Sequence, residues 1–94
     1  MRWVIVAYDG KDKKAMERRM KARPFHFEGV EKLIEKKQLE YGGALLDDNG
    51  KMIGSLAVVD FKTRRQLDAY LKREPYIRMG VWKKITVTPF NRAV

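Results

Sequence analysis

A chain of 94 residues buries only about two-thirds of the surface it exposes when unfolded, so it is read as one domain over 1–94 with one thin core. Its 45% apolar and 11% aromatic content supplies that core, so a disordered chain is not the default despite 35% charged residues. The absence of cysteine excludes a disulfide scaffold, thiolate catalysis and thiolate zinc sites, while the net charge of +9 raises nucleic acid or an anionic substrate as a partner.

Arg2 to Tyr8 is rich in Val, Ile and aromatic side chains and ends at Asp9-Gly10, the pattern of a buried strand followed by a turn. Asp12 is placed to cap a helix carrying Met16 and Met20 on one face. Arg23-Pro24 then breaks that helix, because the residue before proline avoids the α region and proline suits a first turn. From Pro24 a second helical segment presents Phe27, Val30, Leu33 and Ile34 as an apolar stripe towards a sheet. Leu39–Leu46 and Lys51–Phe61 are strand-like runs around Asp48-Asn49-Gly50, where Asn and Gly accept the positive φ of a tight hairpin turn. Thr63-Arg64-Arg65-Gln66 fits a capping box ahead of a helix with Leu67, Tyr70 and Leu71 on its apolar face, and Glu74-Pro75 stops it. Val81–Thr88 alternates as a last strand, with Val81, Ile85 and Val87 on one side and Trp82, Thr86 and Thr88 on the other.

The order β-α-β-β-α-β is the α+β, ferredoxin-like plan, an antiparallel sheet with helices on one face. The opposite face carries apolar residues and calls for a second copy of the chain, giving a homodimer or a higher oligomer. No run reaches the length of a membrane span and Trp3–Ala7 is too short for a signal peptide, so no membrane partner is expected and the location reads as cytoplasmic. Basic residues crowd the first helix, but the remainder fall in scattered pairs such as Lys36–Lys37 and Arg64–Arg65, a pattern of solvated faces rather than of a nucleic-acid surface.

His26, the only histidine, shares a helix face with Val30 and Leu33 and so points towards the sheet. A neutral imidazole there is a candidate general base, with a satisfied structural histidine as the alternative. Asp9, at the end of the first strand, is placed to orient that imidazole; alone it would be a turn residue before Gly10. Glu74 and Tyr76 would edge the pocket, and Gly42-Gly43 with Gly54-Ser55 allow close approach of a ligand to the hairpin strands. One histidine, no cysteine and no calcium-loop spacing leave no expected metal site or cofactor.

Arg23-Pro24-x-His26, the strand ending in Asp9, Gly42-Gly43 before a hairpin, Gly54-Ser55, Glu74-Pro75-Tyr76-x-x-x-Gly80-Val81 and Val87-x-Pro89-Phe90 together resemble the YciI-like family from end to end. The resemblance implies a dimeric α/β barrel of facing sheets, a pocket in each subunit, and a histidine–aspartate site that maps onto His26 and Asp9; Arg23, Gly43, Ser55, Glu74 and Tyr76 are the candidate substrate-binding residues. Relatives typically carry Asp-Pro-Tyr where this chain has Glu74-Pro75-Tyr76, a reach longer by one methylene, and a longer hairpin loop where this chain has Asp48-Asn49-Gly50. One branch is similar to enzymes that remove chloride from hydroxylated aromatic rings. The implied activity is cofactor-free proton transfer of lyase or isomerase type on a small cyclic molecule; the alternative is a non-catalytic domain binding a small ligand, nucleic acid or another polyanion.

Overall fold

A computed structural model describes all of residues 1–94. Strand β1 (Arg2–Asp9) leads into helix α1 (Ala15–Glu35), the hairpin β2 (Leu39–Leu46) and β3 (Met52–Asp60), helix α2 (Arg64–Arg73), a single helical turn α3 (Pro75–Arg78) and strand β4 (Trp82–Phe90). The strands form one antiparallel sheet in the order β2-β3-β1-β4. This is the α+β, ferredoxin-like arrangement expected.

The two-residue period of β1 divides the sheet into a covered and an open face. Trp3, Ile5, Ala7 and Asp9 are buried, whereas Arg2, Val4, Val6 and Tyr8 are not. Cross-strand partners share a face, so Val59, Ala57 and Ser55 of β3 and Val87 and Ile85 of β4 join the covered layer. Against it pack Leu33 and Leu67 around Trp3, Ile5, Val59 and Phe61, and separately Ala22 and Tyr76 around Ala7, Val81 and Trp82. The open face carries Val4, Val6, Tyr8, Tyr41, Val58 and Phe90, with Tyr41 72% exposed.

Helix α1 departs from the expected break: it runs unbroken through 21 residues with Pro24 inside it. Proline removes one backbone bond and crowds the preceding turn, but residues on both sides of it pack on the same sheet. Burial of Ala15, Arg19, Ala22 and Leu33, four, three and eleven residues apart and so on one helix face, outweighs that local penalty. Its covered stripe is therefore not the methionine and phenylalanine face, since Met20, Phe27 and Ile34 are exposed. Ala22 lies against Ala7, and two small side chains let the helix approach the strand. Asp12 does not cap the helix through its side chain; it makes a two-point ion pair with Arg18, and Lys14 occupies the cap position.

Three smaller features also differ from the pattern. In the hairpin only Gly50 takes a positive φ, 83°, and the Asp47 carboxylate accepts the N–H groups of Asn49 and Lys51, fixing the turn from one residue earlier. Thr63 caps α2 by accepting the Gln66 N–H, but the Gln66 side chain returns to the Lys62 N–H. Trp82 joins the covered face because the register slips between Tyr8 and Asp9, which pair with Lys84 and Trp82 respectively. That one-residue bulge reverses the parity of the strand's first residue.

Gly54 has no room for a side chain, as a Cβ would overlap the Ala7 carbonyl oxygen across the sheet. Because the obstacle is backbone, Gly54→Ala is expected to destabilise the fold by about 3 kcal/mol, read as a lower urea midpoint with an unchanged slope. A loss below about 1 kcal/mol would mean that the two strands part freely.

Candidate functional site

Helix α1 carries Arg19 and His26 on its covered stripe, seven residues or about 10 Å apart. That separation assigns each to a different acidic partner. His26 Nδ1 lies 2.7 Å from Glu74 Oε1, and its ring stacks on Tyr76 with centroids 3.9 Å apart and planes 9° from parallel. Arg19 Nη1 lies 3.0 Å from both Asp9 oxygens. The carboxylate that orients His26 is thus Glu74 and not Asp9, a correction that follows from the unbroken helix: α1 brings Arg19 to the end of β1 and carries His26 onward to α3.

Glu74 is held in place by its own helix turn. As the cap of α3 it accepts the Tyr76 N–H on Oε1, and it accepts the Tyr70 hydroxyl on Oε2 at 2.6 Å. Burial pushes this carboxyl upward, but the His26 hydrogen bond and charge, Tyr70 and the Tyr76 N–H together hold it below its ordinary value. The Tyr70 phenol is driven well above its usual range, first by burial and then by the negative Glu74 beside it. Burial also raises the Tyr76 phenol against the opposing pull of Arg19 and Arg23. An ionised Glu74 can only accept, so Nδ1 of His26 must donate and the neutral ring keeps its lone pair on Nε2. Nε2 has no protein partner and is not sealed off by its surroundings.

The second network ties Arg19 to β3 and β4. Arg19 Nη2 donates to Ser55 Oγ at 3.0 Å, Trp82 Nε1 donates to the same oxygen at 3.1 Å, and the guanidinium lies 4.9 Å from the centre of the Tyr76 ring. Asp9 and Arg19 are both almost fully buried, with 4% of each side chain exposed. Beside both networks, which meet at the Tyr76 ring, opens a cavity of about 240 Å³. Its polar wall is Arg19, Arg23, His26, Ser55, Tyr70 and Tyr76, and the rest is mainly apolar. Of the residues expected from sequence, His26, Arg23, Gly43, Ser55 and Tyr76 line it, whereas Asp9 and Glu74 stand behind the wall. Arg19 and Tyr70 were not expected. Arg19 could have been found from its place on the face of Ala22 and His26, and Tyr70 from standing one helical turn before Glu74.

No helix is long and apolar enough to cross a membrane. The chain is 28% identical to protein YciI of Escherichia coli O6:H1 and to protein YciI of Shigella flexneri, over 98% of both sequences in each case. Its fold is similar to that of 5-chloro-2-hydroxyhydroquinone dehydrochlorinase (TftG) from Burkholderia phenoliruptrix AC1100, solved with 2,5-dihydroxybenzoquinone, with a TM-score of 0.85, 18% identity and coverage of 99% and 96% of the two chains. A dimeric ferredoxin-like protein from Jannaschia sp. CCS1 matches with a TM-score of 0.55 and 17% identity, covering 97% of this chain and 98% of that one. The model of the YCII-related domain matches residues 1–91, and the chain belongs to that family.

Proposed function

We propose that the chain is an enzyme of lyase or isomerase type in which His26 Nε2 takes a proton from a small cyclic substrate, and either returns it at another atom, as an isomerase does, or leaves the freed electron pair to expel a leaving group from the neighbouring atom, as a lyase does. The observation that carries this reading is the Glu74–His26 pair, which fixes the imidazole with its free lone pair beside a cavity of about 240 Å³. Glu74 orients the ring and offsets the charge it gains, as the third member of a hydrolase triad does. Asp9 acts one step further away, by holding Arg19. Arg23, Gly43, Ser55 and Tyr76 contact the substrate, and proton transfer of this kind calls for no cofactor. The bound 2,5-dihydroxybenzoquinone of the similar dehydrochlorinase is a single ring, of a size suited to such a cavity. The protein works in the cytoplasm as a homodimer, with the open sheet face covered by a second copy; the fold it shares with a dimeric relative supports that assembly.

The test is a titration with 2,5-dihydroxybenzoquinone, followed by its absorbance, on the parent chain and on His26→Asn. Asparagine keeps a hydrogen-bonding group but cannot exchange a proton near neutral pH. Proton uptake on binding, measured in weakly buffered solution, is expected for the parent and lost in the variant, with a melting temperature nearly unchanged. Unchanged proton uptake in the variant, or a large fall in its melting temperature with binding intact, would leave His26 as a structural residue. Sedimentation at micromolar concentration is expected to give a dimer, and a monomer would remove the paired-sheet assembly.

A further inference from the structure

We propose that Ser55 and Arg19 form an oxyanion-binding end of the cavity, so that its ligand is a small acid carrying an ionised enol or phenol oxygen. This rests on the small-ligand reading above and names the class of ligand.

A serine hydroxyl has two lone pairs and one proton to place. Both lone-pair positions of Ser55 Oγ are taken, by Arg19 Nη2 at 3.0 Å and Trp82 Nε1 at 3.1 Å. Ser55 is therefore obliged to donate, and no protein atom accepts its proton. The residue lines the cavity while being 7% exposed. The same two donors argue against a nucleophilic role, because they occupy the electron pairs that an attack would use. Arg19 lines the same wall and adds its positive charge, its Nε being sealed from the cavity without a hydrogen-bond partner.

Charge points the same way. Every ionisable group that lines the cavity is a base or a phenol: Arg19, Arg23, His26, Tyr70 and Tyr76. The two acids that balance them, Asp9 and Glu74, lie behind the wall and have their oxygens engaged by Arg19, His26, Tyr70 and Tyr76. Arg23 has no ion-pair partner and rests near the Phe27 ring, 5.2 Å from its centre. A ligand in the cavity thus meets the Ser55 hydroxyl with the charge of Arg19 beside it, and the Nε2 lone pair of His26. An ionised oxygen fits the first and a removable proton the second, because preorganised charged donors hold an oxyanion more tightly than a neutral oxygen.

The experiment compares 2,5-dihydroxybenzoquinone, which is ionised at neutral pH, with its dimethyl ether, 2,5-dimethoxybenzoquinone, which keeps the ring but cannot ionise. Calorimetric titration is made on the parent, Ser55→Ala and Ser55→Thr, with a melting curve for each. The parent is expected to prefer the ionised compound by at least about tenfold. Ser55→Ala is expected to lose about tenfold in affinity for it and little for the ether, and Ser55→Thr, which keeps a hydroxyl, to retain the preference. Equal affinity of the parent for the two compounds, or an undiminished preference in a folded Ser55→Ala, overturns the oxyanion end while leaving the His26 reading standing. Binding of neither compound overturns both. If Ser55→Ala fails to fold, the parent's preference and its retention in Ser55→Thr still decide.

Discussion

Arg19→Met is expected to lower the unfolding free energy by about 3–5 kcal/mol. Methionine fills much of the same volume, so the loss is electrostatic rather than a cavity. It leaves the Asp9 carboxylate buried at the end of β1 with neither of its two hydrogen bonds, and it strips one donor from Ser55 Oγ. A buried ion pair adds little net stability compared with an apolar pair of the same shape, but removing one partner strands the other. The double variant Arg19→Met with Asp9→Asn is therefore expected to recover a good part of the loss, because it buries no unpaired charge. Urea unfolding of the two single variants, the double variant and the parent gives the coupling directly. Single losses below about 1 kcal/mol with no coupling would mean that the Asp9–Arg19 pair is hydrated and open.

This pair also marks where the sequence stopped being legible. The strand and helix order was readable because local signals agreed: the alternation of β1, the Gly50 hairpin, Thr63 at its cap and the stop at Glu74-Pro75. At Pro24 the sequence signal and helix α1 part ways, since a rule about backbone sterics yields to burial on both sides, and burial is a property of the whole sheet. That one difference moved a partner. With a helix beginning at Pro24, Asp9 is a natural companion for His26; with a helix running on from Ala15, Arg19 takes Asp9 and leaves His26 to Glu74. His26 itself was identifiable because its spacing to Val30 and Leu33 holds in either helix. Arg19 was hidden among the basic residues around it, where sequence cannot tell a solvated charge from a buried one. Trp82 escaped because a bulge shifts parity without any signature residue.

Glu74→Ala is expected to cost about 3–5 kcal/mol near neutral pH, by leaving three donors unpaired at a buried site: His26 Nδ1, the Tyr70 hydroxyl and the Tyr76 N–H. Glu74→Gln separates charge from geometry. Its amide oxygen can still accept from His26 and Tyr76, and its amide nitrogen can donate to the Tyr70 oxygen, so a loss of about 1–2 kcal/mol is expected. The pH dependence distinguishes this account from simple packing. Burial alone would raise the Glu74 carboxyl, and the hydrogen bonds to it leave it lowered instead. A lowered carboxyl releases its proton more readily in the folded chain than in the unfolded one, so its contribution is fully present above the ordinary carboxylate value. It wanes as pH falls below that value and is gone once pH has passed through the folded one. Unfolding curves of the parent and Glu74→Gln between about pH 7 and pH 3 are therefore expected to differ most at the neutral end and to converge at the acid end. A gap that stays constant across the range would mean that Glu74 folds uncharged, and His26 would then be free to carry its proton on either nitrogen.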